Sequence, residues 1–357
     1  MVSRNELTTT KRIQQRTGKN FHVATRVLPR RVRHGTYVLY AFFREADEIV
    51  DNPDPDPPAV QQAALDRIET AVLGDEVPAD PVLSAFQEVK ERNAIEDREV
   101  EAFLDAMRMD VHRSRYETHE QLQSYLRGSS VAVGHMMTSL MDPDDPETAR
   151  PHAKALGEAF QITNFLRDVR EDVLEYDRIY LPREALDQHG VDHQTVADLE
   201  CSPAFADAMR AELERTEQLY DEGVAGIEYL PEDCQFGVLL AAVLYADHHR
   251  LIRRQGYDVL SEQPSLTTTR RVALAAATWW HWRWTRDPVQ TFYSVSAVDP
   301  PDERPPLDER PSLDEQPPPN EREAGHRSPG GCQRVSRSIR TITRSLRTIA
   351  GAVRGRS

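Results

Sequence analysis

The chain has 357 residues, 39% of them hydrophobic, enough for one large domain or two ordinary ones with a sizeable core. Its 59 acids outweigh 44 bases to give a formal charge of −15, which excludes nucleic acid as the main partner, since phosphate binding requires a basic surface. Lysine occurs only at Lys11, Lys19, Lys90 and Lys154, so the surface is of the acidic, arginine-using kind that a salty cytoplasm tolerates through screening.

The polar N-terminus (MVSRNELTTTKR) lacks the apolar run of a signal peptide. Apolar residues then recur at three- and four-residue spacing to about residue 294, with few β-branched alternating runs, so an all-helical domain is predicted over 1–294. Breaks are expected at 52–58 (NPDPDPP), 142–146 (DPDDP), near 181–183 and around 229–232. On a helix through YAFFREADEIVD (40–51), Tyr40, Arg44, Asp47 and Asp51 share a face, while Leu39, Phe42, Phe43, Ile49 and Val50 point away. Pro53 should end that helix just past Asp51, near a C-terminus whose partial negative charge favours a cation.

A second polar stripe lies in QITNFLRDVREDVLEYDRIYLP (161–182). Gln161, Asn164, Asp168 and Asp172 fall in line, bordered by the apolar Ile162, Phe165, Leu166 and Val169. The other acids of this stretch, Glu171, Glu175 and Asp177, read as facing water. The stretches FGVLLAAVLYA (236–246) and RVALAAATWWHW (271–282) read as buried helices, and no run approaches the roughly 18 apolar residues of a spanning helix. Cys201, Cys234 and Cys332 have no paired spacing, which suggests neither a disulfide framework nor a thiolate metal site. The expectation is a cytoplasmic chain, soluble or peripheral to the inner face of a membrane.

Composition changes after the helical domain. DERP, DERP and DEQP recur every six residues from Asp302 in an acidic, proline-rich stretch, read over 295–326 as an extended, disordered linker. Residues 327–357 reverse the charge, with arginines and no acid. There Val335, Ile339, Ile342, Leu346, Ile349 and Val353 form one helical stripe, with Arg337, Arg340, Arg344 and Arg347 opposite. A basic amphipathic helix of this kind suits an anionic membrane surface, or alternatively docks on the acidic domain itself.

Strict D-x-x-x-D occurs twice, at Asp47/Asp51 and Asp168/Asp172. Each spacing puts two carboxylates on one helix face, a hard-oxygen pair suited to Mg²⁺, which completes its shell with water and substrate phosphates. An acidic protein also produces such pairs as solvated faces. The aligned amides and the apolar borders favour instead a polar strip lining a cleft. Two such helices facing each other would hold metal-bridged diphosphate between them, with Arg44, Arg167 and Arg178 adding rigid phosphate-binding forks.

These two stretches resemble the paired signatures of the squalene/phytoene synthases, head-to-head prenyl transferases with the all-α isoprenoid (terpenoid) synthase fold, a single large helical bundle around a central cleft. The likeness runs from about Phe21 to Tyr257 and includes RYETHEQL (115–122), YLRGSSVAVG (125–134) and Tyr245 ahead of GYDVL (256–260). The resemblance implies that Asp47, Asp51, Asp168 and Asp172, with Asn164, hold Mg²⁺ or Mn²⁺ on two prenyl diphosphates. Gln161, Arg44, Arg167 and Arg178 would contact metal or phosphate, and Tyr40, Tyr125 and Tyr245 would stabilise cationic charge, the alternative for each tyrosine being a core aromatic.

The sequence also departs from the family pattern. The family's S-x-S-F with a nearby histidine is replaced by TGKNF (17–21), so Lys19 is the diphosphate candidate there and His22 inherits no role. The small-residue block SSVAVG (129–134), following Arg127 and Gly128, looks more like the phytoene than the squalene branch. The implied reaction condenses two geranylgeranyl diphosphates, without NADPH, to phytoene at the entry to carotenoid biosynthesis, where downstream carotenoid enzymes are possible partners. The alternatives are a squalene or dehydrosqualene synthase using farnesyl diphosphate and a non-catalytic scaffold of the same family.

Overall fold

Residue-by-residue packing follows from helix ends that the sequence marks clearly. The computed structural model describes residues 24–52 and 55–304. Pro29, in extended conformation, precedes α1 (Arg30–Val50), and Asp51 caps it by donating its backbone N–H to the Asp47 carbonyl at 2.8 Å. After the expected break come α2 (Pro58–Leu73), α3 (Pro81–Arg92) and α4 (Asp97–Asp110). Proline opens both α2 and α3, where its missing N–H costs nothing, and the Asp80 carboxylate caps α3 through Val82 and Leu83. Phe42 of α1 stacks on Phe86 of α3 at 3.7 Å between ring centroids and tilts against Phe103 of α4, closing this part of the core.

Small residues govern the next contacts. Helix α5 (His119–Leu126) continues into a π-helical turn (Arg127–Ala132) and α6 (Val133–Met141). A Cβ on Gly128 would stand 2.0 Å from the Ala102 carbonyl of α4, and one on Gly134 would stand 2.8 Å from the Ala153 carbonyl. Only glycine allows backbones to approach so closely. The small-residue block thus wedges between α4 and the longest helix, α7 (Pro146–Tyr176), which starts at the Asp145 cap and ends at Asp177 in left-handed conformation.

The short α8 (Arg183–Asp187) and α9 (His193–Ala197) lead to α10 (Pro203–Ala225), α11 (Glu232–Arg254), α12 (Thr268–Thr285) and α13 (Pro288–Val295). Helix α10 lies along α7, with Gly223 against Leu156. Behind α7, Thr163 lies 3.0 Å from both the Tyr220 hydroxyl and His249 Nε2, and His249 Nδ1 lies 3.1 Å from Glu217, so this buried polar chain is paired internally. No strand is present among the described residues, and an isolated bridge joins Arg115 to Ile179. The all-helical class agrees with the spacing of apolar residues, and the four expected breaks fall between helices, whereas those at 74–80, 93–96, 111–118 and 255–267 lie outside the expectation.

Two expectations require correction. Residues 295–304 are not loose linker: Val298 is buried, Pro301–Glu303 forms a 3₁₀ turn, and Arg304 pairs with Asp221 at 2.7 Å. An apolar anchor and a charge pair hold this segment although its composition is linker-like. Helix α12 is not buried all round either. Leu274, Thr278 and Trp282 pack inward, but Trp279, Trp280 and Trp284 are exposed, because α12 packs inward along one face only. By contrast 236–246 in α11 is mostly buried, with Phe236, Val238 and Tyr245 partly covered. Lys19 and the basic 327–357 segment lie outside the described residues.

The close approach at Gly128 predicts that Gly128→Ala lowers stability by about 1–3 kcal/mol through overpacking. Ser124→Ala, one helical turn earlier and exposed, should change it by less than about 0.5 kcal/mol. Thermal melts followed by circular dichroism compare the two; equal melting temperatures would refute the tight α4 contact.

Candidate active site

A cavity of about 880 Å³ runs beside α7 and is lined from Ala149 to Asp172 of that helix, about 34 Å at the helical rise per residue. Toward the start of α7 its walls are apolar, with Ala153, Leu156, Met137 and Met141, joined by Ile227, Leu230 and Val238. Further along come Gln161, Asn164, Arg167, Asp168 and Asp172, and α1 contributes Tyr40, Arg44, Asp47 and Asp51. Tyr125, Arg178 and Tyr245 complete the lining. Every sequence-predicted site residue within the described segments therefore faces one cavity.

Charge in this cavity is crowded and only partly compensated. Arg178 is 7% exposed and donates to Asp51 at 2.6 Å, to the Val50 carbonyl at 3.0 Å and to the Asp110 carbonyl at 3.4 Å. It links the exit of α7 to the ends of α1 and α4. Arg44 pairs with Asp47 at 3.4 Å, and its Nε is buried without a hydrogen-bond partner among the described residues. Arg167 grips both oxygens of Asp168, at 2.6 and 2.5 Å. Gln263, from the loop before α12, donates to Asp168 at 2.7 Å and to Glu171 at 2.6 Å.

The carboxylates register this crowding. Burial, then repulsion from Asp51, pushes the Asp47 carboxyl up to about 7. Burial, then Asp168 and Glu171, pushes Asp172 up to about 8, with Asp51 from the facing wall adding to the rise. Asp110 is also pushed up to about 7, chiefly by burial, although Arg178 and the Tyr125 hydroxyl oppose the shift. His248 falls to about 4 through burial and the nearby Arg167, so it is neutral and adds no compensating charge.

Aromatic rings stand beside the acids. The Tyr125 hydroxyl donates to Asp110 at 2.7 Å, and the Tyr180 hydroxyl reaches the same carboxylate at 3.4 Å. Phe165 stacks on Tyr180 at 3.9 Å, and Tyr245 stacks on Phe160 at 4.5 Å. Tyr125 and Tyr245 are therefore packed aromatics as well as cavity-lining ones.

Asp110, Tyr180 and Gln263 escaped the sequence reading. Each enters the site through tertiary packing: Asp110 ends α4, Tyr180 lies past the end of α7, and Gln263 sits in a loop. Glu171, expected to face water, instead lines the cavity under Gln263, whereas Glu175 and Asp177 are exposed. Phe43, expected to point away from the acids, also lines the cavity.

Among the described residues no group of three or more His, Cys, Asp or Glu side chains forms a metal cage. The donor set nevertheless fits divalent cations: paired hard oxygens on facing walls repel one another, and Mg²⁺ takes one or two carboxylates while sharing substrate phosphates. The buried, unpartnered Nε of Arg44 fits the anion that would share such ions.

Comparison with known proteins agrees with this geometry. The squalene/phytoene synthase family profile matches residues 14–271. The phytoene synthase of Rhodobacter capsulatus is 34% identical over 267 residues, covering 73% of this chain and 77% of that protein. The 15-cis-phytoene synthase of Synechococcus elongatus is 29% identical over 279 residues, covering 73% and 88%. Among solved structures, a dehydrosqualene synthase in complex with ligand superposes with a TM-score of 0.71 at 27% identity, covering 78% of this chain and 97% of that one. The squalene synthase HpnC from Alicyclobacillus acidocaldarius gives 0.64 at 26%, covering 71% and 95%. With a family match across most of its length and both acid pairs lining one helical cavity, this chain belongs to the squalene/phytoene synthase family.

Proposed function

We propose that the chain is a phytoene synthase, a transferase that joins two geranylgeranyl diphosphates head to head. The observation that carries this reading is the cavity itself, in which two acid pairs with arginines at hand continue into an apolar channel along α7. Diphosphates belong at the charged part and prenyl chains in the channel lined by Leu156, Met137 and Ile227.

Divalent ions at Asp47, Asp51, Asp168 and Asp172, with Asn164 and Gln161 near their shells, would supply charge that makes diphosphate a competent leaving group. Arg44, Arg167 and Arg178 orient the phosphates through rigid donor forks. Cleavage of one substrate's C1–O bond releases diphosphate and leaves an allylic cation; the double bond of the second attacks it, and loss of a proton from the donor's C1 closes the ring to a cyclopropylcarbinyl diphosphate. A second ionisation with rearrangement joins the two C1 carbons, and proton loss gives phytoene without a reductant. The ring faces of Tyr40, Tyr125 and Tyr245 offer negative potential to these cations, and Phe43, Phe103 and Phe160 keep water from them. Lys19 would add a further cation to the diphosphates.

The likeness to solved dehydrosqualene and squalene synthases favours a second reading, use of farnesyl diphosphate. The basic stripe in 327–357 supports peripheral attachment to the anionic inner face of a membrane. Carotenoid-modifying enzymes would act next on the hydrocarbon.

Incubation of the purified protein with Mg²⁺ and C20 or C15 diphosphate, with and without NADPH, is expected to yield a C40 hydrocarbon from the C20 substrate alone, independent of NADPH. A C30 product only would overturn the substrate assignment.

Asp47→Asn should lower turnover by about 10²-fold or more. Because the folded protein raises the Asp47 pKa to about 7, ionising this group costs stability as pH rises from about 4 through 7. The uncharged amide escapes that cost. Without divalent ions, the variant should therefore melt no lower than the parent at pH 8, and near-normal turnover would remove Asp47 from the site. Asp168→Asn should also abolish turnover, although it leaves Arg167 without its bidentate partner.

Deletion of 327–357 should reduce binding to anionic vesicles while sparing turnover of detergent-dispersed substrate. Unchanged vesicle binding would defeat the membrane reading of that segment.

A further inference from the structure

Helix α12 carries an outward face that water alone does not explain. Val272, Ala273, Trp279, Trp280, Arg283 and Trp284 are exposed on it, with relative exposures of 41% for Trp279, 57% for Trp280 and 69% for Trp284. A solvated helix normally turns charged and amide side chains outward, and isolated exposed apolar residues are commonplace, but three neighbouring tryptophans form a patch. Arg283 lies over two of these rings, 5.7 Å from Trp279 and 5.9 Å from Trp284. Thr268–Thr285 holds no acidic residue, in a chain whose formal charge is −15.

We infer that this face of α12 docks on an anionic lipid bilayer, with its tryptophans at the headgroup level and Arg283 against lipid phosphate. Tryptophan is the side chain enriched at membrane interfaces, because its ring is apolar and its N–H wants a polar partner. Charge complementarity selects the occupant: a symmetric dimer would set this acid-free, arginine-bearing face against its own copy, like charge on like, whereas an anionic bilayer complements it. No helix among the described residues is long and apolar enough to cross a membrane, so α12 would lie in the interface plane.

Position adds a reason. Arg271 of the same helix and Gln263 to Leu266 just before it line the cavity, so docking here sets the cavity wall beside the lipid. This point alone rests on the proposed phytoene synthase reading, whose substrates and product are lipid-soluble.

All four tryptophans of the chain, Trp279, Trp280, Trp282 and Trp284, lie on α12, so intrinsic fluorescence reports on this helix alone. The full chain is titrated with vesicles of phosphatidylcholine, with or without phosphatidylglycerol, and then with brominated phospholipid. The expected result is a blue shift and bromine quenching with the anionic vesicles. The double variant Trp280→Gln/Trp284→Gln should weaken vesicle binding roughly tenfold while keeping the turnover of detergent-dispersed substrate. Loss of that turnover in the parent chain itself would count against the enzymatic reading and leave the docking result standing.

Three outcomes would overturn the inference. One is sedimentation with vesicles without shift or quenching, which means attachment by another surface. The second is an emission shift on deleting 327–357 without lipid, which means that the tail covers the patch. The third is a dimer that the double variant dissolves, which assigns the patch to a second copy.

Discussion

Arg178 donates at once to Asp51, to the Val50 carbonyl and to the Asp110 carbonyl, and is almost fully buried while doing so. A buried guanidinium is costly unless its donors are met, and here they are met by the ends of two helices. Losing the Asp51 carboxylate would leave the buried guanidinium without its hydrogen-bonded charge partner. This junction holds the exit of α7 against α1 and α4, and so places the two acid pairs on facing walls of one cavity. The rest of the site depends on that placement, because pairs facing solvent on separate surfaces would neither repel one another nor share ions.

Among the described residues the cavity gathers six carboxyl groups against four arginines. Asp47, Asp110 and Asp172 all hold protons more tightly than an exposed aspartate, since burial and neighbouring acids disfavour their ionised forms. A site built for rigidity would pair such groups fully. Here they are only partly paired, as the proposed metal and diphosphate would require. The same protein leaves Arg44 Nε buried and unpartnered, a donor kept for an anion. Clustered carboxyls and a spare buried donor are complementary features. They fit a phytoene synthase, in which two diphosphates must be held and then released in turn.

Close packing by small residues gives the cavity its length. Gly128, Gly134 and Gly223 let α4, α6, α7 and α10 approach closely around the channel, so the bundle stays tight beside an open interior. The SSVAVG block combines close approach with cavity lining. Its glycine meets a neighbouring backbone, while Ser129, Ser130 and Val133 border the cavity.

The amino-acid sequence by itself determined the helical class, four of the breaks and the alignment of Asp47 with Asp51 and of Asp168 with Asp172. Those are consequences of helix periodicity and of proline and aspartate chemistry, which act over a few residues. The partnership of the two stripes followed from their matching polar faces, and family likeness agreed with it. Tertiary structure alone decided that Asp110, Tyr180 and Gln263 join the acids and that Glu171 faces the cavity. It likewise decided that residues 295–304 pack and that the tryptophans of α12 face outward. An apolar run looks the same whether one face or every face of its helix is covered. Which faces are covered depends on segments tens to hundreds of residues away, and only the packed chain brings those segments together.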